Sequence, residues 1–221
     1  MRSIGRPFTV LLACLGALGL VAGSTTVTRG AAPVLDGTLS PGEWTDALAI
    51  DVTAQARIFL KHADGYLFLG IQATTMGVGS PVVVVGEEIH ALHASAALGT
   101  AIYVREADVW VLRQDFSWQC RTTGFSAYAL NERARFLERN GWLGTIGYLG
   151  EPTQFEYQIA WGSEPLTFLF LFADFTDTIH LLSWPIPPAD AAQYEGVITS
   201  SPTPPTLQCT LKNWAVLRKG E

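Results

Sequence analysis

Residues 56 to 73 read ARIFLKHADGYLFLGIQA, two alternating apolar runs joined by a tight turn. Asp64-Gly65 supplies the positive φ angles that a short hairpin connection demands. Successive side chains of a strand point to opposite faces. Ile58 and Leu60 therefore share one face with Leu67, Leu69 and Ile71, while Phe59, Tyr66 and Phe68 share the other. The first face belongs to a core. The second is aromatic rather than charged, so it lies under another element or under a ligand, and the ligand case makes Tyr66 and Phe68 binding candidates.

Similar runs recur along the chain. PVVVVGEEIHAL (81–92) is rich in β-branched residues, TAIYVREADVWVLR (100–113) alternates around a turn at Glu106 to Asp108, and FEYQIAW (155–161) alternates again. LTFLFLFADF (166–175) is apolar on both faces, as a strand buried between two layers is. LQCTLKNWAVL (207–217) reads as the last strand. Short strands separated by Gly- and Pro-containing turns predict a mainly β fold, an antiparallel β-sandwich. One segment departs from this. SAYALNERARFLERNG (126–141) places Leu130, Ala134 and Leu137 on one stripe and ends in Asn-Gly, which predicts an amphipathic helix capped at Gly141 and laid across the sandwich.

The first 23 residues read as a cleaved secretory signal. Arg2 and Arg6 precede the apolar run FTVLLACLGALGLVA, which is short for a membrane span of about 20 residues and is followed by small residues. LLAC at Cys14 is a lipoprotein alternative, although the residues after it stay apolar. Residues 24–32 read as a short flexible lead and 33–221 as one domain. Without residues 1–23, which hold two Arg and no acid, 12 basic side chains face 20 acids, a net charge of −8. That balance gives no footprint for nucleic acid or anionic lipid. The expected destination is outside the cell, in a periplasm or at a cell surface. There, the two remaining cysteines, Cys120 and Cys209, are expected to form a disulfide.

Motifs that carry chemistry are sparse. His90 and His93 form H-x-x-H without the Glu of a zincin, and on a strand residues three apart face opposite sides. There is no G-x-S-x-G, and GVG at 77–79 lacks the lysine of a phosphate loop. Glu87-Glu88 are neighbours whose carboxylates point apart. The expectation is a non-enzymatic domain. Tryptophan, by contrast, is abundant: there are seven. Exposed aromatic faces stack on the C–H faces of sugar rings at little entropic cost. Trp118 in QDFSWQC and Trp142 in RNGWLG lie in loop-like or capping contexts and are the leading ligand-binding candidates, whereas Trp110 and Trp161 sit inside alternating runs and read as packing.

VLDGTLSPGEWTDA (34–47), followed by the hairpin, resembles the opening of family 9 carbohydrate-binding modules and their DOMON-like relatives. In this chain Asp36-Gly37 and Pro41-Gly42 make the turns, and Trp44 is expected to anchor on the core edge. The resemblance implies a jelly-roll sandwich that binds carbohydrate or another extracellular small ligand. Some family members carry structural calcium, for which Asp36, Glu43 and Asp46 supply oxygens here. Others hold b-type haem, for which Met76 with His90 or His93 supplies the ligand types. A structural or adhesive envelope domain is the remaining alternative.

Overall fold

A computed structural model describes residues 23–121, 126–148, 152–163, 165–187, 192–193 and 203–221. The expected signal peptide and Cys14 lie outside these residues. In chain order the strands are β1 (Ser24–Arg29), β2 (Leu48–Asp51), β3 (Ala56–Ala63), β4 (Tyr66–Ala73), β5 (Gly77–Val85), β6 (Glu88–Ala94), β7 (Ala97–Glu106), β8 (Val109–Gln114) and β9 (Cys120–Arg121). After the helix α1 (Ala127–Asn140) come β10 (Trp142–Tyr148), β11 (Thr153–Ala160), β12 (Leu166–Asp174), β13 (His180–Trp184), β14 (Ala192–Gln193), β15 (Thr206–Cys209) and β16 (Ala215–Lys219). The chain is mainly β with one α-helix, consistent with a sandwich.

Two layers account for the core. The first is β10-β11-β4-β3, with β2 beside β3; the second runs β16-β12-β5-β6-β7-β8-β15. The hairpin expected around Asp64-Gly65 forms with Ile58 opposite Ile71 and Leu60 opposite Leu69. Both residues of its turn have positive φ, 50° and 82°. Between the layers lie Ile58, Leu60, Leu67, Leu69, Ile71, Phe155 and Tyr157 from one side and Phe168, Phe170 and Phe172 from the other. The intervening Leu169 and Leu171 enter a second cluster with Tyr103, Trp110 and Trp214 on the outer face of the larger layer. β12 is thus buried on both faces, and each fully buried Phe or Leu contributes roughly 1.5–3 kcal/mol.

Most pairs are antiparallel; β1 is the exception. Its Ser24–Val27 half runs parallel to Val216–Lys219 of β16, and its Thr28–Arg29 half runs parallel to Lys61–His62 of β3. Residues 24–29 are therefore a strand shared by both layers, not a flexible lead, with Val27 wholly buried. The expected last strand is also divided. Leu207 pairs with Trp110 of β8 at one edge, whereas Leu217 pairs with Leu166 of β12 on the far side of β5 and β6. A 3₁₀ turn at Leu211–Asn213 carries the chain across, and Trp214 packs into the outer cluster on the way.

The helix starts at Ser126, whose hydroxyl accepts from Ala129 N, and ends at Gly141 (φ 71°), whose N–H donates to Leu137 O. The buried stripe is rotated from the expected one. Arg133 and Phe136 face inward, while Leu130 and Ala134 are exposed. Arg133 tolerates this position because its guanidinium donates to Leu35 O at 3.1 Å, and Phe136 packs edge-on against Trp142 at 5.1 Å. A larger aromatic with a ring partner outweighs the burial of Leu130.

Candidate functional site

The structure separates the aromatic candidates sharply. Trp142 opens β10 directly after the helix cap and is only 2 % exposed. Its Nε1 donates to Thr100 Oγ1 at 2.9 Å, and its ring stacks on Tyr157 at 6.0 Å. It is a core residue, because the cap turns the chain back between the layers. Phe68 is covered as well, at 3 % exposure, in a cluster with Trp44 and Ala63; half-buried Tyr66 packs at its margin. The aromatic second face of the hairpin is thus occupied by the 34–47 segment, with Trp44 as its anchor. Lys61 Nζ lies 4.9 Å over the Trp44 ring and donates to Glu43 O and Asp46 Oδ1. Trp110 and Trp161 are buried packing residues.

Trp118 is different: it is 50 % exposed. Its ring lies nearly parallel to Phe116, 15° between planes and 5.9 Å between centroids. His93 of β6 supports both rings, 5.3 Å from Trp118 and 5.4 Å from Phe116. Beneath them is Gly99 of β7, where a Cβ would come within 3.3 Å of Phe116 Cδ1 and 3.4 Å of Trp118 Cε3. The loop is held by Asp115, whose carboxylate accepts from Phe116 N at 2.7 Å and from the Thr203 hydroxyl. His93 is 6 % exposed, and its Nδ1 has no hydrogen-bond partner. Burial lowers its pKa to about 4, so the ring is neutral at ordinary pH. Phe116 was absent from the sequence candidates, and His93 was named there only as a haem ligand. The readable signal for Phe116 was its spacing of two from Trp118, which puts both rings on one side of an extended segment.

Trp118 is followed by Gln119, which enters a groove of about 440 Å³ lined with Tyr128, Asn131, Glu132, Arg135 and Arg139 of α1. Trp118 itself does not line the groove and is joined to its amide, hydroxyl and charged groups through Gln119, the next residue in the chain. A larger cleft of about 620 Å³ lies between the β5–β6 and β7–β8 turns, with Trp110 in its floor and Glu88 on its wall. Glu88 is already engaged by His90 at 2.9 Å and Arg113 at 2.5 Å, which hold its carboxyl below the usual range, and Trp110 shows almost no surface.

Among the residues named for haem, His90 lies apart from both His93 and Met76. His90 and His93 fall on opposite faces of β6, and His90 pairs in register with Val83. Met76 precedes β5 by one residue, so it lies seven residues from Val83, about 23 Å at strand rise. Asp36, Glu43 and Asp46 each serve a backbone group: Thr38 N, Val34 N and Ala31 N respectively. Among the described residues no group of three or more His, Cys, Asp or Glu could hold a metal ion. Cys120 and Cys209 are free thiols rather than a bridge. They pack into different clusters, Cys120 between the layers and Cys209 at the outer face, and burial raises them to about 11 and about 12.

Glu156, in the middle of β11, is fully buried. Its Oε2 accepts from Asp36 N at 3.0 Å and Gly37 N at 2.7 Å, and its Oε1 has no partner. Burial raises its pKa to about 7. The Asp-Gly pair of the opening motif thus does more than turn: Gly37 at φ 89° aims two adjacent N–H groups at one carboxylate oxygen.

No family model, curated protein or solved structure matches this chain. Among the described residues, no helix is long and apolar enough to cross a membrane.

Proposed function

We propose that the chain is an exported, non-catalytic binding domain whose ligand is a carbohydrate seated on the Trp118–Phe116 platform. The observation that carries this reading is the half-exposed Trp118 ring, stacked on Phe116 and supported by His93. A large ring left in water costs free energy, and here it packs against the rings of Phe116 and His93. Such a surface suits a flat, partly apolar partner, and the C–H face of a pyranose meets that requirement while its hydroxyls reach the polar groups of the adjoining groove. Export is supported by the leader-like first 23 residues, and a cut after Gly23 keeps β1, which begins at Ser24, in the mature chain.

The test is a glycan array followed by titration of the best binder. Trp118→Ala is expected to lower affinity at least ten-fold without shifting the thermal midpoint. Binding that survives Trp118→Ala, or an array silent for the wild type, would overturn the reading.

A further inference from the structure

The groove beside Trp118 points to the form of the ligand. We propose that the bound sugar is an uncharged chain of at least three rings, one on Trp118 and the others along the outer side of α1. This rests on the reading of Trp118 as a sugar platform. The groove begins at Gln119, the residue after Trp118, whose N–H is fixed to Leu98 O at 3.1 Å. It continues along α1 from Tyr128 to Arg139. That stretch covers about 16 Å of helix axis at 1.5 Å per residue, room for further pyranose rings end to end.

Three features favour a polar chain over a small ligand or an apolar partner. Glu132, Arg135, Glu138 and Arg139 make no ion pair among the described residues, although 132–135 and 135–138 have a spacing that permits one. The side chains of Glu132, Arg135 and Glu138 are therefore available as donors and acceptors, together with the amides of Gln119 and Asn131, while Arg139 Nε donates to Arg135 O at 3.2 Å. Two Arg and two Glu sum to zero, so the strip exerts no net pull on an ionic polymer. Tyr128, 78 % exposed, supplies a second ring at the groove's N-terminal end.

The experiment is calorimetric titration of the full mature chain with β-1,4-linked glucose, xylose and N-acetylglucosamine oligomers of one to six rings. Affinity for the bound series is expected to rise at least ten-fold from one ring to three. Arg135→Ala and Asn131→Ala should remove most of that gain, with folding checked by circular dichroism. Equal affinity for one ring and four would overturn the extended site while leaving the platform standing. So would a length gain that survives both substitutions. Silence on all three series with Trp118 intact would remove this inference, and array binding to a different sugar would show that the platform reading survives it.

Discussion

Replacing Glu156 with Gln should change how stability depends on pH, in a direction that the structure specifies. The carboxyl is wholly buried, receives two N–H groups on one oxygen, and titrates near 7 instead of 4.5. Burial is the dominant cause; Asp36 and Glu43 repel the anion, and the two backbone N–H groups offset this only in part. Arg133 of α1 is the cation on this side. Because the folded pKa lies above the unfolded one, the folded chain binds the extra proton between about 4.5 and 7. Stability from this group is full below 4.5 and is lost as pH rises through 7, by about 3 kcal/mol. His93 acts in the opposite sense. Its folded pKa of about 4 lies below 6.5, so its contribution is present above 6.5 and lost as pH falls through 4, also by about 3 kcal/mol. In the wild type the two slopes largely cancel across pH 4.5–6.5. Urea unfolding followed by tryptophan fluorescence at half-unit steps from pH 4.5 to 8 would separate them. Glu156→Gln should unmask a steady rise with pH, even though its amide leaves an unpaired N–H that costs about 1–3 kcal/mol throughout. Curves that run parallel for wild type and variant would refute the buried, proton-binding carboxylate.

Other outcomes follow from the same geometry. Gly99→Ala puts a methyl against Phe116 and Trp118; it should tilt the platform and weaken ligand binding several-fold, read by titration, while chemical stability changes little. Trp142→Ala empties a site between Phe136 and Tyr157 and should cost about 3–5 kcal/mol in urea unfolding. Cys120 and Cys209 should both react with a thiol reagent after unfolding and slowly before it. Peptide mapping that finds them joined would contradict the separate clusters.

The parts legible in the sequence were those governed by period. Alternation in 56–73 assigned Ile58, Leu60, Leu67, Leu69 and Ile71 to the core face and Phe59, Tyr66 and Phe68 to the other, as observed, and the doubly apolar run at 166–175 is the strand buried on both sides. The parts that were not legible depend on distant partners. Arg133 looks like a surface residue until Leu35 O is placed beside it. Glu156 looks like the polar member of an alternating strand until Asp36 and Gly37 converge on it. Trp142 follows an Asn-Gly cap, a context common at surfaces, yet this cap faces the interior. At the site, the sequence pointed to Trp118; Phe116, and the place of His93 beside both rings rather than as a haem ligand, emerged only once β6 and the 115–119 loop were brought together.

The parallel pairing of β1 with β16 has a mechanical consequence. Ser24 starts one strand and Lys219 ends its neighbour, with four residue pairs in register between them. A pull applied to the two ends of the domain draws these strands past one another along their length. The hydrogen bonds between them then bear load together instead of opening one at a time. A domain tethered at one end and holding a polymer at another would resist unfolding under tension at that pair of strands, and shortening β1 from its N-terminal side would weaken it in proportion to the bonds removed.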